Sequence, residues 1–410
     1  MKIMNEKLIV KNFGPIKDAE LDLKKVTIFI GPQGSGKSTL AKAVAICKDK
    51  DFLTDSYIGK KVNTYFEKYQ SQFFLRPDTY FNLTTQKFSF EFSDKPSDFK
   101  ILDSSEMTGE LFGQLSQTVF HPTFESMKDS YKHYLESLKK LQGNYKTLYP
   151  QSEKIIRQMI TQLTKGTRYI PTDRLLVASI ADTIFGLMRA EVALQKSTIE
   201  FGADFEIVTS HIPELFIDYL NVTFKVENGR DLVFHNETDS VPLSASASGY
   251  QSVIPLHLSV EHFSKEENSF FIVEEPELNL FPITQTKLIS YLADRCTKGD
   301  NSLFINTHSP YVLSALNNLL FAYQVAQVLP ERADEIAEII PKNQWLNPDD
   351  FEAYYVGEDD EGNKGGIRSI FNKKTGLIGQ NELDSISEEL GDEFDALMNI
   401  YRTRKRETVN

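Results

Sequence analysis

Nine consecutive residues near the start of the chain have the spacing of a phosphate-binding loop. They read GPQGSGKST and supply the candidate nucleotide ligands Gly31, Gln33, Gly34, Ser35, Gly36, Lys37, Ser38 and Thr39. The glycines let the backbone curl until successive N–H groups face one anion, and the positive end of a following helix adds to the attraction. Lys37 is spaced to reach the β- and γ-phosphates, and the Ser38 hydroxyl is spaced to bind Mg²⁺. The pattern therefore predicts a bound nucleotide with Mg²⁺.

Two acids far downstream follow an apolar run. Glu274 and Glu275 come directly after FFIV and before Pro276. In a fold with a phosphate-binding loop, a carboxylate at the end of a buried strand meets the Mg²⁺. We therefore predict Glu274 as a metal ligand, directly or through water, and Glu275 as the group that polarises the attacking water. The alternative is a solvated pair at a strand end; the upstream loop favours the catalytic interpretation.

Two more stretches carry candidate site residues. His308 lies just past the apolar run of SLFINTHSP, where its side chain could touch a γ-phosphate; the alternative is a purely structural histidine. A small-residue stretch precedes an apolar-periodic helix over 253–262 and could present hydroxyls and amides to an anion from Ser246, Ser248, Gly249 and Gln251. Serine and glycine also mark ordinary loops, so this second stretch is weaker evidence.

These residues need a frame of strands and helices. Val26–Ile30 reads as a buried strand that feeds the loop, and the helix that starts at Leu40 follows it. Residues 6–30 predict three strands. Alternation in 87–92 predicts a strand with a buried aromatic face, which favours core packing over a nucleic-acid platform. Strands are also predicted at 223–226 and 232–235, with a turn at Asn228-Gly229.

A heptad pattern interrupts this frame. Apolar residues step by four and three along one seam: Met127, Tyr131, Tyr134, Leu138, Leu141, Tyr145 and Leu148. Pro150 ends the seam, and a second apolar helical face follows. The pattern predicts a helical hairpin, a short coiled coil, within 121–167; a helix pair packed flat on the body is the alternative.

Composition limits the possible partners. The 410 residues are 40% hydrophobic and 25% charged, with a formal net charge of −13, which argues against a broadly basic DNA-coating surface. Two cysteines without metal-ligand spacing fit a reducing cytosol. The sequence shows neither a signal-peptide pattern nor an uninterrupted apolar stretch long enough for a bilayer. We expect a cytoplasmic protein without a membrane segment.

The order of these motifs resembles the ABC-type ATPases, in the branch that holds the SMC proteins, the double-strand-break-repair ATPases and the overcoming-lysogenisation-defect (OLD) ATPases. The opening LIVKNFGPIKDAELDL and the phrase EEPELNLFP carry the likeness, which covers residues 6–50 and about 240–325. It implies an α/β fold: a P-loop NTPase with a mixed-sheet core, a helical-hairpin insertion and a C-terminal α-rich extension. The expected units are an ATPase lobe over 1–120, the hairpin over 121–167, a second lobe over 168–325 and the extension over 326–410.

The resemblance also implies roles for the residues. Gly31–Thr39 matches the Walker A loop, Glu274 the Walker B acid, and Glu275 the catalytic glutamate, with Lys37 and His308 acting beside it. Residues 246–251 match the signature, which reads SASGYQ here, and 277–279 match the D-loop. Arg174 in YIPTDR matches an arginine that recurs in OLD-like ATPases. The Q-loop is not placed; Gln70 and Gln72 are candidates.

The implied activity is ATP hydrolysis with Mg²⁺ by a dimer or larger oligomer, in which the signature of one subunit closes on the P-loop of another. OLD nucleases add a TOPRIM nuclease, but the acids of 358–363 lie in a polar, Gly-rich stretch without strand flanks and read as a solvated turn. The leading hypothesis is thus a stand-alone ATPase like the sensor subunits of anti-phage systems. It would control a separately encoded effector, with a nucleic acid or a phage protein as candidate trigger. The alternative is an SMC- or repair-like ATPase that acts directly on DNA.

Overall fold

The computed structural model describes residues 6–93, 98–101, 157, 160, 161, 163–180, 194–266, 268–379 and 391–398. The heptad seam over 127–148, on which the predicted hairpin rests, lies outside these residues.

The described strands and helices follow one another in this order. The strands are β1 (Glu6–Phe13), β2 (Ile16–Leu23), β3 (Val26–Ile30), β4 (Tyr80–Thr84), β5 (Phe88–Phe92), β6 (Asp98–Ile101), β7 (Gly166–Ile170), β8 (Glu214–Ile217), β9 (Val222–Glu227), β10 (Arg230–Phe234), β11 (Ser240–Pro242), β12 (Ser269–Glu274), β13 (Ser302–Asn306), β14 (Phe351–Glu358), β15 (Lys364–Ser369), β16 (Phe371–Asn372) and β17 (Leu377–Ile378). The helices are α1 (Lys37–Lys48), α2 (Lys50–Tyr57), α3 (Asn63–Lys68), α4 (Arg174–Ile180), α5 (Lys196–His211), α6 (Ser248–Phe263), α7 (Pro282–Cys296), α8 (Pro310–Val328) and α9 (Ala333–Ile339). The three strands predicted within 6–30 and the strands predicted at 87–92, 223–226 and 232–235 are confirmed.

A six-stranded sheet in the order β15-β14-β3-β13-β12-β7 forms the centre of the fold. Its neighbouring strands are parallel except for the antiparallel pair β14 and β15. Every residue of β3, β12 and β13 is buried, as expected for parallel strands that are covered on both faces. Side chains alternate between two cores: Phe29 and Phe304 pack on one side, and Ile28 and Ile305 on the other.

One core is closed by α1 to α3 and by an antiparallel sheet in the order β2-β1-β4-β5-β6. Its aromatic side chains are buried and meet mostly edge to face, as in the pairs of Phe13 with Phe81 and of Phe52 with Phe90. The aromatic-rich segment thus supplies core, as the alternation predicted. The other core holds residues of α4 to α8 and of the four-stranded sheet β11-β10-β9-β8.

The C-terminal region differs from the predicted α-rich extension. After α8 and α9, β14 enters the central sheet and pairs in parallel with β3, so Phe351 stands opposite Val26. The first six residues of β14 are buried. The prediction missed this strand because its second residue, Glu352, interrupts the apolar run; its carboxylate is accommodated by a 2.7 Å hydrogen bond from the Ser369 hydroxyl.

The acidic stretch 358–363 is an exposed turn, as predicted, but the expectation that it lacks strand flanks was wrong. It connects β14 to β15, and the Asp359 carboxylate accepts hydrogen bonds from the backbone N–H groups of Glu361 and Asn363. No helix in the described part of the chain is long and apolar enough to cross a membrane.

Candidate nucleotide-hydrolysis site

The phosphate-binding loop connects β3 to α1 and is tightly enclosed by its neighbours. A Cβ atom at Gly31 would lie 2.2 Å from the carbonyl oxygen of Val356 in β14, and one at Gly36 would lie 2.6 Å from Cδ1 of Ile16. Gly36 also has φ = 109°, in the region that favours glycine. These two glycines are therefore required by space as well as by backbone conformation, whereas Gly34 faces open space.

The groups presented by the loop suit a phosphate. Gly36 caps α1 without a side-chain hydrogen bond, so the N–H groups of Lys37, Ser38 and Thr39 stay available at the positive end of the helix. The buried hydroxyl of Ser35 has no hydrogen-bond partner among the described residues. A phosphate oxygen would satisfy these donors, so the residues present fit a bound nucleotide.

Lys37 lies within the loop and is almost fully buried. Its ammonium group donates 2.8 Å hydrogen bonds to the carbonyl oxygens of Gly31 and Pro32. Burial lowers the pKa of Lys37 to about 8, although the negative charges of Glu275 and Glu277 oppose this change. The Lys37 ammonium is therefore still charged at neutral pH, because its pKa lies above 7.

Glu274, at the end of β12, and Ser38, at the start of α1, supply two oxygen ligands, and Asn306 at the end of β13 contacts both. The amide nitrogen of Asn306 donates to Oε1 of Glu274 at 3.1 Å and lies 3.5 Å from the Ser38 hydroxyl. Burial raises the pKa of Glu274, and hydrogen bonds from Ser38 and Asn306 act against that rise. A carboxylate and a hydroxyl at this spacing are ligands that suit Mg²⁺.

Sequence reasoning did not single out Asn306. The signal available was a polar residue at the end of a buried strand, immediately before Thr307 and His308. Its side-chain oxygen also accepts the backbone N–H of Glu275 at 3.0 Å. Asn306 thus connects the predicted metal ligands to the predicted catalytic glutamate.

Glu275 and His308 lie side by side at the mouth of this cluster. Nε2 of His308 is 3.8 Å from Oε1 of Glu275, and both side chains are partly exposed. Burial lowers the pKa of His308, the charge of Lys37 lowers it further, and Glu275 opposes both effects. The lowered pKa favours the neutral imidazole, which has one donor nitrogen and one acceptor nitrogen.

Glu277 fixes the segment that carries His308. One oxygen of its carboxylate, Oε1, accepts 2.8 Å hydrogen bonds from the Thr307 hydroxyl and from the backbone N–H of His308. Burial raises the pKa of Glu277, and these hydrogen bonds act against the rise. The segment predicted as the D-loop is thereby tied to the predicted switch histidine.

The residues of the predicted signature lie at the start of α6, which begins at Ser248. A Cβ atom at Gly249 would be 3.0 Å from the carbonyl oxygen of Asn279, so the signature packs against the predicted D-loop of its own chain. The Gln251 amide donates to the carbonyl oxygens of Ser244 and Ser246 and accepts from Ser179. These hydrogen bonds organise the signature locally. The residues predicted as the Walker A loop, the Walker B acid and the switch histidine, in contrast, converge on one another.

The Q-loop stays a prediction. Gln70 is exposed and has φ = 49°, whereas the side-chain oxygen of Gln72 is buried and has no partner among the described residues. Phe74, two residues after Gln72, packs on Gly14, and the neighbouring Ile16 packs on Gly36 of the P-loop. This placement favours Gln72 over Gln70.

Comparisons with known proteins show which family the sequence matches. A family model described as an AAA ATPase domain matches residues 1–106 and 59–313. An OLD nuclease from Thermus scotoductus is 22% identical over 349 aligned residues, which cover 75% of this chain and 59% of that protein. This chain therefore spans less than two thirds of the length of that relative.

Solved structures that were found to be similar to this chain include the head domains of two SMC proteins. One is the SMC head bound to the C-terminal winged-helix domain of ScpA, with a TM-score of 0.42, 11% identity, and coverage of 75% of this chain and 90% of that chain. The other is the SMC head domain from Thermotoga maritima, with a TM-score of 0.36, 12% identity, and coverage of 76% and 92%. Because the family model matches more than half of the chain, this protein belongs to the AAA ATPase domain family.

Proposed function

We propose that the chain hydrolyses ATP with the residues gathered at the ends of β3, β12 and β13. Lys37 binds the β- and γ-phosphates, Ser38 and Glu274 hold the Mg²⁺ that neutralises phosphate charge, and Glu275 orients the attacking water. The neutral imidazole of His308 contacts the γ-phosphate. The observation that carries this proposal is the 3.8 Å approach of Glu275 to His308, with both residues near enough to Lys37 to shift its pKa or be shifted by it.

The active unit in this proposal is a dimer or a larger oligomer. The signature residues Ser246, Ser248, Gly249 and Gln251 would bind the nucleotide held by the P-loop of a second copy. Two features support this arrangement. The signature packs against residues 279–280 of its own chain, and apolar side chains are exposed at the first turns of α7 and α8: Phe281, Ile283 and Tyr311. Such surface is available for contact with a partner.

The ATPase cycle would control a separate effector protein, as in an anti-phage system whose sensor subunit responds to a nucleic acid or a phage protein. The support is the resemblance to OLD-like ATPases together with the form of residues 351–369. These residues complete the ATPase sheet, and their acidic turn is held by hydrogen bonds within itself. ATP would favour the closed oligomer, and hydrolysis would release it.

The test is ATP hydrolysis by the purified chain, with and without DNA, combined with its mass in solution. Lys37→Ala should abolish turnover, and Glu275→Gln should slow turnover to a residual rate while ATP-bound oligomers accumulate. Glu331→Gln, at an exposed position after α8, is the matched control. Turnover that does not change with DNA supports an ATPase that controls a separate effector protein. Strong stimulation of turnover by DNA favours the repair-like alternative. Wild-type turnover in Glu275→Gln would show that another group activates the water.

A further inference from the structure

Arg174 is the largest side chain in the described part of the chain that is fully removed from solvent. We propose that it is a positioning residue that couples the signature helix α6 to the backbone of Glu275. This inference rests on the role proposed above for Glu275 and assigns a mechanism to an arginine that the sequence only flagged.

Within the described part of the chain, the guanidinium of Arg174 donates hydrogen bonds only to main-chain carbonyl oxygens. Nη1 donates to the carbonyl of Glu274 at 2.7 Å and Nη2 to that of Glu275 at 2.6 Å. Nε donates to the carbonyl of Ser252 in α6 at 3.1 Å, and Nη1 also reaches Pro171 at 3.0 Å. One planar group therefore connects the end of the acidic strand to the helix that carries the signature.

The cost of placing a cation here argues for a specific task. A buried charge is normally paired with a carboxylate, and burial lowers the pKa of Arg174 to about 10, so the group is still charged at neutral pH. The nearby charges of Glu277, Glu275 and Glu274 favour the charged form. Only the fork of arginine offers donors in several fixed directions at once; the single ammonium of lysine cannot span the same carbonyls.

The backbone that Arg174 holds is strained. Glu275 has φ = 42°, a left-handed conformation that residues with a side chain rarely adopt. On one side its N–H is held by the backbone and side-chain oxygens of Asn306, and on the other its carbonyl is held by Arg174. Without the second anchor the peptide after Glu275 can relax, and the carboxylate then leaves its position beside His308.

Helix α4 supplies a second link in the same direction. Arg174 is its first residue, and Ser179, one turn and a half further on, donates to Oε1 of Gln251 at 3.2 Å. A shift of the signature would therefore act on α4 through Gln251 and on Arg174 through Ser252. Both routes end at Glu275, so engagement of the signature by a second subunit would adjust the residue that orients water.

The test compares Arg174→Met, which keeps the volume and removes the donors, with Arg174→Lys, which keeps the charge. Arg168→Met is the matched control, because Arg168 lies on β7 and binds Glu266 and the Phe263 ring instead. Five quantities are measured: kcat for Mg-ATP, KM for Mg-ATP, affinity for a non-hydrolysable ATP analogue, kcat in combination with Glu275→Gln, and hydrogen exchange of the Glu275 amide without nucleotide.

Arg174→Met should lower kcat by about 10- to 150-fold, the factor for losing one hydrogen bond to a charged group, while affinity for the analogue stays within about threefold. In the Glu275→Gln background the same change should have almost no further effect, because Arg174 acts through Glu275. Exchange of the Glu275 amide should become faster. Arg168→Met should change none of these quantities.

Wild-type kcat and wild-type exchange in Arg174→Met would overturn the proposal, as would a loss of kcat that multiplies with that of Glu275→Gln. If Arg174→Met fails to fold, Arg174→Lys decides the same questions, since it keeps the buried charge but not the fork. If the wild type shows no Lys37-dependent hydrolysis, the role proposed for Glu275 fails, and amide exchange still decides whether Arg174 holds this backbone.

Discussion

The two hydrogen bonds accepted by Glu277 allow a quantitative test of how His308 is positioned. Glu277→Ala removes both 2.8 Å bonds and leaves the partly buried N–H of His308 without its acceptor. Glu277→Gln keeps an oxygen in the same place and replaces Oε2, which has no hydrogen-bond partner among the described residues. The pair of variants therefore separates the hydrogen bonds from the charge.

The expected magnitudes follow from these contacts. A hydrogen bond to a charged acceptor contributes about 1.5–3 kcal/mol, so loss of the His308 bond should reduce turnover by about 10- to 150-fold if hydrolysis needs this position. In Glu277→Gln both bonds persist in a weaker, neutral form, and we expect a loss of less than about tenfold. The missing charge should also lower the pKa of Lys37 further, because Glu277 now acts to raise it.

The assay is kcat at saturating Mg-ATP and pH 7 for both variants, with thermal unfolding as the check on folding. Wild-type turnover in Glu277→Ala would show that His308 needs no such support or takes no part in hydrolysis. Equal losses in both variants would show that the charge of Glu277, rather than its hydrogen bonds, is what the site requires.

Three further predictions concern titration and reactivity. Because the pKa of Lys37 is lowered to about 8, its ammonium loses its proton as the pH rises through that value. The affinity for ATP, measured with a fluorescent analogue, should therefore be constant below pH 8 and fall above it. The Lys37→Arg variant should show no such fall. Lys37→Met should raise the pKa of His308, since the charge of Lys37 lowers it. An NMR titration, with the His308 signal assigned by means of His308→Asn, measures the direction of this change in pKa. A lower pKa in Lys37→Met would contradict the proximity of the two groups. Burial raises the pKa of both thiols, so Cys47 and Cys296 should resist a thiol reagent in the folded chain and react in denaturant; a fast-reacting thiol without denaturant would place one at the surface.

Local patterns were enough to predict the residues that converge at the site. The P-loop and the acid pair after β12 each consist of consecutive residues. Each follows a buried strand that is a short apolar run, and such a run is recognisable within a few residues of sequence. Asn306 and Arg174 act through partners 31 to 101 residues away, and no local pattern encodes such contacts. Val356 is likewise far from its partner in sequence: its carbonyl oxygen lies so close to Gly31 that only glycine fits at that position.

The C-terminal region shows why one class of error arises. A parallel strand buried on both faces is recognised by its uninterrupted apolar run, and Glu352 breaks that run in β14. The hydrogen bond from Ser369 that makes this acid tolerable comes from the next strand. The strand is therefore recognisable only after its partner is known.

The place of β14 has a consequence for how the protein is made. Val26 of β3 pairs with Leu303 on one side and with Phe351 on the other, so both neighbours of the strand that feeds the P-loop are translated hundreds of residues after it. Closing such long loops is entropically costly and slows folding. A nascent chain carries its complete Walker A sequence long before the wall beside Gly31 exists. Competence to bind nucleotide should therefore appear late in synthesis, once Phe351 to Val356 have left the ribosome.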